Sequence, residues 1–155
     1  MEHKLVVFDW NGTILSDTSS AWRAGNACFE FFGEQKISLQ RYRETLTFPI
    51  IHTYKLNGCS IDKVLESKEE AGEIFQQVYE SRAKNARTRS GARELLAWLS
   101  GKGVSCIILS NYITKRIQQH LARLKLEHYF QHVSAHDSNG TEIIEQTTKT
   151  GRLSE

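Results

Sequence analysis

The sequence predicts an α/β fold: an open parallel sheet with crossover helices and a small all-helical subdomain inserted after the first strand. Three observations carry this expectation. Two short, continuously apolar runs, Leu5 to Phe8 and Val104 to Leu109, each end on polar residues, as strands buried on both faces of a parallel sheet do. Around the second run the pattern reads helix, strand, helix and then a further strand, the order a parallel sheet with crossovers requires. Between the two runs lies a long stretch with helical stripes and no convincing strand, more chain than a crossover needs.

The first strand runs into Asp9 and the Asn11-Gly12 turn. In the insertion, Trp22, Gly25, Phe29 and Phe32 form one helical stripe. Leu39, Tyr42 and Leu46 form a shorter one behind a Ser38 cap, and Ala71, Ile74, Phe75, Val78 and Tyr79 form a third. Pro49, the only proline, sits with Thr47, Phe48, Ile50 and Ile51 in a break between helices. Ser90 then reads as the cap of a helix carrying Leu95, Leu96, Trp98 and Leu99, with Gly101 and Gly103 as stop signals. The second strand ends at Ser110-Asn111. Thr114 reads as the cap of a helix with Ile117, Leu121 and Leu124, and a third strand follows near Phe130 to Ala135. The expected division is a core of residues 1–16 and 88–155 around a helical cap of residues 17–87.

Composition narrows the function classes. The 155 residues carry a net charge of +2, with 39% hydrophobic and 25% charged residues, the profile of an ordinary globular chain. So balanced a charge argues against a nucleic-acid partner, and no apolar run approaches the roughly 20 residues of a membrane span. The amino terminus lacks the apolar region and cleavage site of a secretion signal, so a cytoplasmic location is expected. Cys28, Cys59 and Cys106 form no CxxC pair, which fits reduced thiols, with Cys106 as core filler. None of this fixes an oligomeric state.

In an open parallel sheet, ligands bind beyond the carboxyl ends of the strands. Asp9 and Ser110 fall at two such ends, and adjacent strands would bring them to one edge. A carboxylate there can bind a cation or attack an electrophile. Gly12 lets backbone approach a ligand closely, the amides after it suit an anion-binding turn, and Ser110 and Asn111 add donors.

These residues resemble the haloacid dehalogenase superfamily. Phe8-Asp9-Trp10-Asn11-Gly12-Thr13-Ile14-Leu15 looks like its first motif, DxDGT after an apolar strand, and Ile107-Ile108-Leu109-Ser110-Asn111 looks like its second. Ser90-Gly91-Ala92-Arg93-Glu94-Leu95-Leu96 is similar to the segment before that strand in phosphoglycolate-phosphatase-like members, with Ser90 in place of their usual proline. The helical insert matches the position of the small cap those members carry. The resemblance implies a Rossmann-like three-layer core and a Mg²⁺-dependent phosphatase acting on a small phosphorylated metabolite. It makes Asp9 the nucleophile that accepts the phosphoryl group, and Asp9 with the Asn11 carbonyl the metal ligands. Gly12, Thr13, Ser110 and Asn111 would hold the phosphate, together with Lys149 as the family's catalytic lysine.

Two departures accompany the resemblance. Asn11 stands where these phosphatases carry the aspartate that protonates the leaving group and activates water. A neutral amide exchanges no protons, which implies slow turnover or good leaving groups, and Asn11→Asp is expected to raise turnover of a poor one. The fourth motif, an acidic residue or pair after a further strand, has no counterpart after Lys149, so the chain reads as truncated before it.

Other readings stand beside these. A catalytically impaired descendant that binds a phosphorylated ligand or a protein partner fits both departures. A phospho-accepting receiver domain shares the Asp, hydroxyl and Lys set but has no helical subdomain of this size. Dehalogenase chemistry does not need a phosphate cradle. His128, His132 and His136, spaced by four, would align on a helix as metal ligands, yet Phe130 and Val133 favour strand or loop there. Trp22, Phe29 and Phe32 read as packing residues, and Lys68-Glu69-Glu70 as a solvated helix face.

Overall fold

The computed structural model of the chain describes residues 4–137 and 144–145. It separates into two compact units, one holding described residues 4–17 and 86–137, the other 18–85 with 144 and 145.

The first unit is built on three parallel strands in the order β1-β2-β3: β1 (Leu5–Phe8), β2 (Ser105–Ile113) and β3 (His132–His136). Leu5 pairs with Ser105 and Phe8 with Ile108, while Ile107 pairs with His132 and Leu109 with Ser134. Before β2 comes a helix over Ala92–Gly101, which packs on β2. Between β2 and β3 a helix over Thr114–Leu124 packs on both strands, and a 3-10 turn at Glu127–Tyr129 leads into β3.

Both connections step across the sheet in the same direction, and right-handed crossovers of that kind lay their helices on one face. Burial follows. Phe8, Cys106 and Ile108 are buried on that face, with the Phe8 ring set edge-on to Phe130 at 6.1 Å. Their neighbours on the other face are open: Leu5 is 54% and Val7 40% exposed, and Ser105 and Ile107 are half-buried. The expectation that the first strand is buried on both faces therefore fails. β1 is the first strand of the sheet order, and its Leu5–Val7 side is uncovered among the described residues, whereas Leu109 of the same face, on the central strand, is buried.

Two expected caps also move. The helix before β2 starts from Gly91 at φ 80°, with no side-chain cap, so Ser90 is not its cap. Thr114 is the first residue of the next helix rather than its cap, and its hydroxyl donates to the His136 carbonyl at 3.2 Å. That helix ends at Lys125 with φ 55°, where Lys125 N–H meets the Ala122 carbonyl at 3.1 Å and Leu126 N–H the Leu121 carbonyl at 2.9 Å. This is a Schellman closure without its usual glycine.

The chain leaves the first unit through residues 14–16 and returns through 87–89, and these segments pair. Leu15 and Thr88 form an antiparallel bridge, Ser16 N–H donates to the Arg87 carbonyl at 2.8 Å, and Arg89 N–H donates to the Ile14 carbonyl at 2.9 Å.

The second unit is helical. We number its helices α1 (Thr18–Phe31), α2 (Leu39–Thr45), α3 (Ile50–Leu56), α4 (Ile61–Glu66) and α5 (Lys68–Ala83); those flanking β2 are then α6 and α7. Ser38 caps α2 as expected, accepting from Arg41 N–H at 3.1 Å. α3 and α4, of seven and six residues, occupy the stretch around and after the expected break at Pro49. They are too short for a periodic stripe to reveal. α1 lies along α5 over a core of Cys28, Phe29, Phe32, Tyr54, Cys59, Val64 and Ala71, joined by Ile144. The Asn26 amide closes the turn after α1 by accepting from Ile37 N–H at 2.8 Å and donating to its carbonyl at 3.1 Å. Lys68 is not simply solvated: its ammonium pairs with Glu145 at 2.9 Å.

Candidate active site

The loop after β1 is anchored from below. Trp10, Ile14 and Leu15 are fully or almost fully buried, each such side chain contributing about 1.5–3 kcal/mol of burial. The Trp10 carbonyl accepts the amides of Thr13, Ile14 and Leu15 at 3.0–3.2 Å, winding the loop into one tight turn. Gly12 sits at φ 72°, a left-handed conformation that favours glycine. Trp10, Ile14 and Leu15 thus lie in the core, while Asp9, Asn11 and Thr13 remain partly or fully open to solvent.

Ser110 reaches this loop from β2. It is not at the end of the strand, as the sequence suggested, but inside it, where the pairing with β3 shifts register between Leu109 and Ile113. Irregularities of this kind re-aim side chains. Ser110 Oγ donates to Asn11 Oδ1 at 3.4 Å and accepts Tyr112 N–H at 3.1 Å. Thr13 Oγ1 donates to Asp9 Oδ2 at 3.3 Å. Asp9, Asn11, Gly12, Thr13 and Ser110 are therefore brought together, with Asn111 next to Ser110 in β2. Lys149 lies outside the described residues.

The loop also shows what the sequence reading missed. Asp17, 2% exposed, accepts Asn11 Nδ2–H at 2.8 Å on one carboxylate oxygen and Gly12 N–H at 2.6 Å on the other. Buried carboxylates need such donors. The sequence signal was a lone carboxylate two residues beyond the apolar pair Ile14-Leu15, which reads as the start of the next helix rather than as part of the loop.

The same contacts correct the expected amide cradle. The N–H groups of Gly12, Thr13, Ile14 and Leu15 are all engaged inside the loop, by Asp17 or by the Trp10 carbonyl. The hydroxyls of Thr13 and Ser110, which donate to Asp9 and Asn11, can rotate to other acceptors as those backbone amides cannot. As for a metal, no group of three or more His, Cys, Asp or Glu converges among the described residues, and His132 and His136 occupy the two ends of strand β3 rather than a helix.

Comparison with known proteins gives a consistent result. Residues 6–149 match the family model described as haloacid dehalogenase-like hydrolase. The chain is 24% identical over 141 residues to a phosphoglycolate phosphatase of Pseudomonas fluorescens (strain Pf0-1), covering 87% of this chain and 51% of that protein. It thus spans about half the length of this curated relative. Among solved structures, a haloacid dehalogenase-like hydrolase from Streptococcus pneumoniae superposes with a TM-score of 0.72 at 19% identity, over 97% of this chain and 70% of that one. A subfamily IA hydrolase of the same superfamily from Geobacter sulfurreducens PCA gives 0.56 at 23%, over 86% and 63%. Protein Tyrosine Kinase A of Mycobacterium tuberculosis gives 0.72 at 20%, over 88% and 61%. Structures named for different reactions share this fold, so the fold alone does not choose among them.

Proposed function

The chain belongs to the haloacid dehalogenase-like hydrolases, and from that premise we propose that it is a phosphatase that moves the phosphoryl group of a small phosphorylated metabolite onto Asp9. The observation that carries this reading is the convergence of Asp9 and Thr13 after β1 with Ser110 of the neighbouring strand, bridged through Asn11. A carboxylate beside two hydroxyl donors is what a phosphate ester needs at a strand edge.

In this reading one Asp9 oxygen attacks phosphorus in line with the ester oxygen, and the P–O bond to the leaving group breaks as the new bond forms. On binding, the Thr13 and Ser110 hydroxyls turn from Asp9 and Asn11, to which they donate at 3.3 and 3.4 Å, onto the phosphate oxygens, with Asn111 and Lys149 completing the grip. Water then attacks the phosphoryl group and frees Asp9; with an amide at position 11, the leaving oxygen takes its proton from solvent and the attacking water gives its proton up to solvent. Mg²⁺ suits the hard oxygen donors available, the Asp9 carboxylate and the Asn11 carbonyl, since this ion takes one or two carboxylates and keeps several waters. When bound, it neutralises charge on the transferring oxygens. Asn11 cannot donate a proton to the leaving oxygen. General acid–base help is worth about 10²- to 10⁴-fold, so turnover is slow for alkyl esters and faster for esters with acidic leaving groups.

The three free cysteines support a reducing, cytoplasmic setting, and no helix among the described residues is long and apolar enough to cross a membrane. The test is hydrolysis of p-nitrophenyl phosphate and small metabolite esters, phosphoglycolate included, with Mg²⁺ or with EDTA. Activity lost with EDTA and in Asp9→Asn supports the proposal. Activity surviving both, or absent across the panel, refutes it.

A second reading, a binder of a phosphorylated ligand without turnover, is favoured by one observation: the side chain at position 11 is a neutral amide whose nitrogen is already engaged by Asp17. Calorimetric titration with inorganic phosphate in the presence of Mg²⁺ separates binding from turnover.

A further inference from the structure

Asp17 has no part in the chemistry just described, yet it is the most buried carboxylate among the described residues and it grips the site loop with both oxygens. One accepts the side-chain amide of Asn11 at 2.8 Å, the other the backbone N–H of Gly12 at 2.6 Å. Each oxygen thus meets a donor from a different residue of the turn.

The consequence for Asn11 is directional. A primary amide has one donating end and one accepting end. With Nδ2 held by Asp17, Oδ1 is the end left to face Ser110, whose hydroxyl donates to it at 3.4 Å. Reversing the amide would give up the 2.8 Å bond to Asp17 and set Oδ1 against a carboxylate oxygen, acceptor against acceptor. The orientation is therefore fixed by chemistry as well as by shape. It also follows that an aspartate at position 11 would face Asp17 with two acceptors and no donor between them.

We propose that Asp17 is the positioning residue of the Asp9 site, and that Asn11 and Asp17 form a matched amide–carboxylate pair in which neither partner can be exchanged alone. Asp17 holds the Asn11 side chain and the Gly12 backbone in the conformation that presents Asp9 and Thr13. This rests on the reading of Asp9 as the reacting carboxylate. It also alters the outcome expected from sequence for Asn11→Asp: the single change disturbs the loop, whereas Asn11→Asp combined with Asp17→Asn keeps one donor and one acceptor across the contact. In the double variant the new amide at 17 donates to the new carboxylate at 11 and still accepts Gly12 N–H.

Four proteins test this: the unaltered chain, Asn11→Asp, Asp17→Asn and the exchanged double variant, each checked for folding by near-UV circular dichroism. The first readout is solvent exchange of the Gly12 N–H by NMR, which requires no activity. Protection in the unaltered chain, exchange about tenfold faster or more in each single variant, and recovery in the double variant support the pair. The second is kcat and KM for p-nitrophenyl phosphate with Mg²⁺. Each single variant should lower kcat by about tenfold with KM little changed, and the double variant should restore it. An unaltered chain whose Gly12 N–H exchanges like an exposed loop amide overturns the proposal, even if the variants fail to fold. So does a double variant no better protected than the worse single one. If the unaltered chain hydrolyses no ester, the phosphatase reading falls while the exchange experiment still judges the pair.

Discussion

Ser110 Oγ stands 3.4 Å from Asn11 Oδ1, so a strand and a loop separated by 99 positions in sequence share one contact. The same oxygen accepts Tyr112 N–H, and Ser110 is only 1% exposed. Ser110→Ala therefore removes the hydroxyl that the proposed phosphatase reading sets on the substrate, and takes from Tyr112 N–H the acceptor it has at 3.1 Å, a loss of about 1–3 kcal/mol. The expected result is a lower urea midpoint together with a fall of about tenfold or more in kcat/KM. An unchanged midpoint would show that the hydroxyl does not secure the irregular stretch of β2.

Burial raises the Cys28 thiol from its ordinary 9.0 to about 11, against a smaller lowering by its hydrogen bond with Tyr54. The folded chain thus keeps a proton that the unfolded chain releases near pH 9. Stability from this group is complete below that pH and is lost as pH rises towards 11, by about 3 kcal/mol in all. Urea midpoints at pH 8 and pH 10.5 should fall further in the unaltered chain than in Cys28→Ala.

Cys59 is likewise raised to about 11, first by burial and then by the charge of Glu34. Both thiols should resist iodoacetamide at pH 8 in the folded protein and react once urea unfolds it. Rapid alkylation of either without urea would contradict the packing around Tyr54.

Lys125 ends α7 at φ 55°, in a region that costs a residue with a side chain about 1–2 kcal/mol. Lys125→Gly removes that cost while adding freedom to the unfolded chain, for a net gain of about 0.5–1 kcal/mol. Thermal unfolding should show a higher midpoint, with the two closing hydrogen bonds of the helix retained.

The two faces of β1 should respond differently to truncation. Phe8, 9% exposed and set against Phe130, should cost about 3 kcal/mol on change to alanine, whereas Leu5→Ala should cost less than about 1. Equal losses would mean that the open face is covered in solution.

Much of this was legible in the sequence, for reasons that can be named. Leu5 to Phe8 and Val104 to Leu109 are apolar runs too short for helices and bounded by turn residues, so both strands and their parallel pairing followed. That Ser110 reaches the loop after β1, which it does through Asn11, followed from adjacency of those strands. The caps did not: Gly91 starts α6 by its left-handed backbone, which Ser90 beside it concealed. The one-sided burial of β1 was hidden because Leu5 and Val7 are as apolar as Phe8, and composition does not say which face meets a helix. Asp17 was hidden because its partners are a side-chain amide six residues back and a backbone amide five residues back, a pattern without periodicity.

The paired segments at 14–16 and 87–89 bear on how this chain can be altered. To the sheet, the helical insertion is the loop of a hairpin whose stem is already closed by Leu15 and Thr88. Closure entropy grows only slowly with loop length, roughly 0.6 kcal/mol for each doubling. A stem of this kind tolerates changes of loop length at small entropic cost, so turns within the insertion can be lengthened or shortened without disturbing the strand pairing that carries Asp9 and Ser110, whereas excising all of it would strip Ile144 of its core and Glu145 of its Lys68 partner.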